Sequence, residues 1–570
     1  MGKEQKNFKK WDTHHHINPP FYEAYAKKNG YGNVYGLPHP KWSPDLMLHW
    51  MDEANIERAV MSISTPGIHF GNDAESREMS RKCNHYMADL IKKYPNRLGA
   101  FATLPLPDTD GAVKELRYAL DTLKLDGIGL LSNFNHHYFG DVRFEPVWQE
   151  ANDRKAIVYV HPTRPKESIP QQLLNYTYYL KMDTAKTIIS FMKSGYHLKY
   201  PHIKFVLSHG GGVLPKVMKS ALQALKKEDP SIEESFEVWR KQLFADTALV
   251  SYPDVMLPEI INFFGANHVI FGTDLCWGAD KYKYFIQQFS ETDISMEMFE
   301  KIYLKNVNAL FRGENVPYIP TKVKLHATAH EPSVTNYHLH IHPKNIIALA
   351  AKKYNGEIKM DHLNTEIKPA HANAMISFDI PEVWKLSRSE RREILMQYNL
   401  NISKMKQESA INVKVLAAID LEDPEHSINE ITHCLNVLKM DGICLYVSVT
   451  GKSYHDMFDD RLLMKLAQID VPVVIHPKAS DAFPVLELAY YETLAYILCL
   501  IYSDKLAHLK QVNYIPTHTD DLLEFLGRAV NSMHYVNPKT DKPRIGKIIW
   551  ELLIMKREVV YEYLKELDVY

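Results

Sequence analysis

The chain is poor in cysteine. Five are spread over 570 residues, at positions 83, 276, 434, 444 and 499, with no CxxC pair. An odd, sparse set excludes a disulfide framework and reads as free thiols in a reducing compartment, with the cytosol as the default. Charge of one sign is also lacking. Lys and Arg number 67 against 69 Asp and Glu, a formal net charge of −2. No basic surplus points to nucleic acid or to an acidic membrane. No run of about 18 apolar residues exists, so no spanning helix is expected. The stretch Met1-Gly2-Lys3-Glu4-Gln5-Lys6 is polar and has no apolar segment of the secretory kind. Lys6 stands where a myristoylation signal wants Ser or Thr. No GxGxxG follows the first strand, which leaves a dinucleotide fold without support.

What is present is a soluble globular composition, 45% hydrophobic and 24% charged, enough to build real cores. At this length two or more domains are expected. The chain repeats itself. Leu125-Asp126-Gly127-Ile128 recurs as Met440-Asp441-Gly442-Ile443, and positions 126 and 441 differ by 315. Val160-His161-Pro162 recurs as Ile475-His476-Pro477 at the same spacing, as does Phe101–Leu104 in Leu416–Ile419. Three segments in one register point to two domains of one ancestry. The ends match less tightly: His14-His15-His16 resembles His338-Leu339-His340, and Ser208-His209 resembles Thr517-His518. Pro317, Pro320 and Pro332 lie in a stretch of little periodicity. The expected organisation is a first domain over 8–315, a linker over 316–335 and a second copy over 336–570.

Short apolar runs alternate with helical stretches in the first half. Ala59–Ile63, Ala100–Leu104, Gly127–Leu130, Ile157–Val160, Lys204–Leu207 and His268–Phe271 read as buried strands, with helices such as Ala112–Leu123 and Asp183–Ser194 between them. Continuous apolar strands alternating with helices imply a parallel sheet covered on both faces. Roughly eight units in about 300 residues fit a (β/α)8 barrel, with a doubly wound open sheet as the alternative.

In such a barrel the active site gathers at the C-terminal strand ends. There the sequence places His14 and His16, which share one face of an extended strand, then His161, His209-Gly210-Gly211-Gly212 and Gly272-Thr273-Asp274. Singly, each has a plain alternative: a structural histidine, a tight glycine turn, an Asp capping a helix. Together they assemble imidazoles and a carboxylate with an open position, a set suited to Zn2+ and also to Mn2+ or Fe2+.

This order of motifs resembles the amidohydrolase superfamily. More narrowly it resembles the mononuclear branch of aminocarboxymuconate semialdehyde decarboxylase, and the stretch from His14 to Tyr22 with Trp42-Ser43-Pro44 is most similar to its 6-methylsalicylate decarboxylase-type members. The resemblance covers about residues 8–315. It implies His14, His16, His161 and Asp274 as ligands of one divalent metal, Zn2+ or Mn2+. It implies His209 as an acid/base and Asp274 as a proton donor. A bridging lysine of the dinuclear type is absent from Ile128–Asn133, which favours one metal. The implied reaction is non-oxidative decarboxylation of a small aromatic or unsaturated acid. Hydrolysis, for instance of a lactone, and ligand sensing without turnover are the alternatives. Arg164 is a candidate carboxylate clamp. Trp42, Phe139 and Trp277 are candidate pocket walls, although core or rim packing is the commoner role of such residues.

The second half keeps His338, His340, His476 and His518, but Thr519-Asp520-Asp521 replaces the glycine run. Only 52 residues follow His518, whereas 65 separate His209 from Asp274, and no Gly-Thr-Asp counterpart is found. Asp520 lies in the wrong strand to substitute. The expectation is an incomplete, degenerate barrel with a structural role, an intrachain pseudo-dimer or part of a homo-oligomer; the surviving histidines leave room for an altered metal site.

Overall fold

In the computed structural model, residues 8–321 are described except 35–36, 166–178, 251–252, 278–281 and 293. Residues 338–478 and 514–516 are described except 356–357, 359–363, 372–373, 448–458 and 470. The chain divides into two units, and each is taken by itself.

Among the described residues, eight parallel strands form the main sheet of the first unit: β1 (Lys10–His16), β2 (Ile56–Ser62), β3 (Leu98–Thr103), β4 (Gly127–Leu131), β5 (Ile157–His161), β6 (Lys204–Leu207), β7 (Leu243–Asp246) and β8 (Val269–Ile270). They pair in sequence order. Backbone bonds then tie the end back to the start. Thr13 N–H donates to Phe271 O at 3.0 Å and Asp274 N–H to His14 O at 2.9 Å, beside a parallel bridge between His15 and Leu275. The result is the (β/α)8 barrel expected from the alternating pattern, with no open edge to protect.

Every residue of β3 and β5 is buried, which is why these strands read as apolar runs rather than as alternating ones. The 21-residue helix Asp73–Lys93 buries Ser76, Met79, Ser80, Cys83, Asn84 and Met87 at three- and four-residue steps. Asn72 caps it by accepting the N–H groups of Ala74 and Glu75 at 3.0 and 3.2 Å. Two expected elements differ. β7 is not among the strands read from the sequence, because Leu-Phe-Ala-Asp is short and has no Gly or Pro to mark its ends. The stretch Ala112–Leu123 is an α-helix, Thr109–Arg117, followed by a π-helical turn, Tyr118–Thr122.

The barrel interior carries Val60, Phe101, Tyr159, Val206, Phe244 and Ile270, continued by Val307, Leu310 and Val316. Phe101 stacks on Tyr159 at 5.1 Å, and Tyr159 meets the edge of His14 at 5.4 Å. The histidine layer therefore rests on an aromatic floor.

Among the described residues the second unit has six parallel strands in sequence order: β9 (His338–His340), β10 (Met375–Ser377), β11 (Lys414–Asp420), β12 (Gly442–Val447), β13 (Val473–Pro477) and β14 (Tyr514–Pro516). Its register repeats that of the first unit. Phe101 pairs with Gly127 and Leu416 with Gly442, while Ile128 pairs with Val158 and Ile443 with Val473, each 315 residues on. Among the described residues no helix is long and apolar enough to cross a membrane. Cys83, Cys276, Cys434 and Cys444 are free and buried; Cys499 lies outside the described residues.

Candidate metal centre

The five strand-end residues converge. His14 Nε2 lies 2.9 Å from His16 Nε2, and each lies 3.2 Å from Asp274 Oδ1. His209 Nε2 is 3.4 Å from Asp274 Oδ2. The His161 ring centre is 4.7 Å from that of His16 and 5.3 Å from that of His14. His14, His161, His209 and Asp274 each offer an atom within 4.8 Å of the others. His14 and His16 are fully buried, whereas His209 keeps 15% of its side chain exposed and so opens the cluster to an incoming molecule.

Local backbone explains the convergence. A register shift of β1 against β2 between Asp12 and His15 re-aims the strand where the two ligand candidates emerge. Gly272 sits where β8 leaves the barrel, and a Cβ there would lie 2.7 Å from His14 Cβ and 3.1 Å from that of Asp246, so no side chain fits. His209 and Asp274 both hold positive φ, 55° and 63°. Such backbone costs about 1–3 kcal/mol for a non-glycine residue and concentrates at functional sites.

Partners around the cluster fix each ring. Asp246 Oδ2 takes His14 Nδ1 at 2.9 Å, and its Oδ1 accepts the N–H groups of His209 and Ala248 at 2.9 Å each. Ser62 Oγ meets His16 Nδ1 at 2.9 Å. Pro162 O accepts from His161 Nδ1 at 2.9 Å. With the Nδ1 positions engaged, the Nε2 atoms face the centre, the arrangement by which metal-binding imidazoles are usually held. Asp12 supports the rim, accepting Thr273 N–H at 3.0 Å, Thr273 Oγ at 2.6 Å and His15 Nδ1 at 2.8 Å.

Electrostatics point the same way. Burial alone would keep His14 neutral, but the Asp246 and Asp274 carboxylates on its two nitrogens raise its pKa. Burial lowers His16 to about 4. His161 is pushed well below its ordinary value by burial and by the neighbouring imidazoles. Asp274 stays well below the usual carboxylate range, because His14 and the hydrogen bonds of His14, His16 and His209 outweigh its burial. Two ring nitrogens and a carboxylate oxygen thus crowd one point, and a divalent cation there would take the place of the proton that the two carboxylates hold on His14. The donor set fits such an ion.

The other candidates are placed as follows. Arg164 is exposed on the loop after β5, three residues past His161. Trp277 is partly exposed on the loop after Asp274, its ring 5.9 Å from that of His39. Trp42 is buried with its ring 6.1 Å from Tyr86. Phe139 is no pocket wall: it is fully buried between Trp148 and Phe205 in the core. Asp246 and Ser62 escaped the sequence reading. Only the apolar run ending in Asp246 could have signalled the former. In the second unit His340 and His476 face each other with ring centres 5.0 Å apart; the His338 side chain, His518 and Asp520 lie outside the described residues.

The part of the chain that carries this cluster is similar to known proteins. The decarboxylase yanB of Aspergillus niger is 33% identical over 304 residues, covering 49% of this chain and 81% of that protein. The 6-methylsalicylic acid decarboxylase of Penicillium expansum is 31% identical over 279 residues, covering 46% and 84%. A crystal structure of amidohydrolase II superposes with a TM-score of 0.50 at 29% identity, covering 53% of this chain and 99% of the other. A family model described as amidohydrolase matches residues 11–313, and the chain accordingly belongs to the amidohydrolase family.

Proposed function

We propose that the first unit is a metal-dependent, non-oxidative carboxy-lyase acting on a small aromatic carboxylic acid. The convergence of His14, His16, His161, His209 and Asp274 carries this reading, and the relatives named as decarboxylases support it. His14, His16, His161 and Asp274 would hold one divalent ion, Zn2+ or Mn2+. When bound, that ion supplies Lewis acidity that fixes the substrate carboxylate with a neighbouring hydroxyl and offsets its charge.

Proton transfer falls to Asp274 and His209, whose Oδ2 and Nε2 are 3.4 Å apart. One proton moves from this pair, or from a water held by His209, to the ring carbon bearing the carboxylate. The bond to the carboxylate carbon then breaks, its electron pair restores the aromatic ring, and CO2 leaves. The aromatic floor under His14 keeps bulk water from the buried side of the cluster. Arg164, Trp277 and Trp42 are the proposed substrate-facing residues. We read the second unit as an altered copy of the first, with the shared strand register as support.

The test is to load the protein with Zn2+ or Mn2+ and offer it hydroxybenzoates and lactones, following CO2 release and ring opening. CO2 from a hydroxybenzoate is expected. Lactone hydrolysis with no CO2 from any acid would replace the carboxy-lyase by a hydrolase. D274A should lower turnover by at least about 10²-fold; a protein that only binds its ligand would keep that affinity in D274A.

A further inference from the structure

The second unit conserves histidines that the proposed reaction does not use. His340 ends β9 and His476 lies in β13, and their rings stand edge to face, 5.0 Å apart at 89°. In the first unit His16 and His161 stand at 4.7 Å and 85°. The outer nitrogens are held alike. His340 Nδ1 meets Ser377 Oγ at 3.1 Å, as His16 Nδ1 meets Ser62 Oγ at 2.9 Å. His476 Nδ1 donates to Pro477 O at 2.8 Å, as His161 does to Pro162 O at 2.9 Å. This pattern sets the tautomer that presents Nε2 to the space between the rings.

The carboxylate is where the units part. In the first it comes from Asp274, beyond β8. In the second, Asp379 offers an oxygen within 4.8 Å of ligand atoms of both His340 and His476. Asp379 lies two residues past Ser377, the position that Ser64 occupies after Ser62. The carboxylate thus enters from the second strand of its sheet. Its backbone is pinned. Asp379 N–H donates to His342 Nε2 at 2.8 Å, and the preceding residue, Phe378, gives its N–H to the Tyr446 hydroxyl at 3.0 Å. Tyr446 in turn lies 5.4 Å from the His476 ring, so one buried tyrosine braces two of the three donors.

We propose that the second unit has a divalent-metal site of its own, formed by His340, His476 and Asp379. Two imidazoles and one carboxylate leave coordination positions open to water or a small anion. They suit a first-row ion such as Zn2+, Co2+ or Fe2+ rather than Ca2+ or Mg2+, which prefer all-oxygen sets. The relocated carboxylate makes this a different centre from that of the first unit rather than a remnant of it.

The experiment uses the full chain, stripped with a chelator, reloaded with Co2+ and desalted, with cobalt per chain counted by mass spectrometry and its d–d absorption recorded. About two ions per chain are expected for the wild type. D379N should hold about one, with the bands of the first site and the far-ultraviolet dichroism unchanged. H14A/H16A should keep about one, with the bands that D379N loses. A wild-type count of about one that D379N leaves unchanged overturns the proposal; a count of about one that D379N abolishes and H14A/H16A keeps would sink the first site instead. A D379N protein that still holds two, or an H14A/H16A protein that holds none, overturns it as well.

Discussion

At the scale of single residues, Asp246 is the most informative of those the sequence did not reveal. It is fully buried and holds His14 Nδ1 with one oxygen and two backbone N–H groups with the other. D246N keeps the shape but replaces an oxygen by a donor, either against the two N–H groups or beside His14. Removing such an outer partner typically costs 10–100-fold in metal affinity. Competition against a chromophoric chelator should show that loss in D246N. An unchanged affinity would mean that the strand ends alone orient His14. The motif residues were legible because each carries its own mark: a pair at i and i+2, a His-Pro, a His before three glycines, an Asp after Gly-Thr. Asp246 and Ser62 carry none; their role exists only once strands distant in sequence lie side by side. Phe139 was misleading for a related reason. Residue type gives the size of Phe139 but not its burial between Trp148 and Phe205.

At the scale of elements, one buried carboxylate couples a helix to the loops over the site. Asp183, in the helix Leu180–Lys193, accepts from Tyr138 and Asn133 at 2.7 Å each and from Ser132. Ser132 Oγ in turn accepts the Thr163 N–H at 2.9 Å, on the loop that leaves His161. Burial raises the Asp183 pKa to about 6 although Lys186 and these donors pull it down. A carboxyl whose folded pKa is raised contributes stability that is full below its unfolded pKa, near 3.8, and is lost as pH climbs through about 6. A rise of that size is worth roughly 3 kcal/mol. D183N cannot titrate, so its stability relative to wild type should rise by up to that amount between pH 4 and pH 7 and level off above. Urea unfolding at each pH checks this, and a constant difference would show that Asp183 ionises as freely folded as unfolded. Elements were legible where an apolar run stood near Gly or Pro, and β7, with neither to mark its ends, was lost. The polar clasps between elements were not legible at all. Asn84 bonds Thr103 O at 3.0 Å and Glu115 at 2.8 Å, and Asn399 bonds Ala418 O at 3.3 Å and Glu430 at 2.8 Å. These clasps lie 315 residues apart, yet each reads in sequence as one polar residue on a helix.

At the scale of the whole molecule, His14, His16, His161, His209 and Asp274 all come from the first unit's barrel. The barrel's own chain, however, does not stop at 315. Val316 is buried in its core, Tyr318 lies 4.2 Å from the Arg240 guanidinium, and Thr321 Oγ accepts the Ala266 N–H at 3.2 Å. Lys204 Nζ also donates to Glu314 O at 3.0 Å. Burying a valine is worth about 1.5–3 kcal/mol and an exposed cation–π pair about 0.5–1 kcal/mol. Two truncations therefore separate closure from this strap. A chain ending at 327 keeps every contact named here and should fold, bind metal and turn over substrate at near the full-length rate. A chain ending at 313 keeps all eight strands and every site residue but loses the strap. It should still bind metal while melting roughly 3–6 °C lower, at about 1.5 °C per kcal/mol for a unit of this size. Equal melting temperatures would show that the strap contributes nothing to barrel stability. Loss of metal from the chain ending at 327 would show that the barrel alone does not hold the His14 cluster in place.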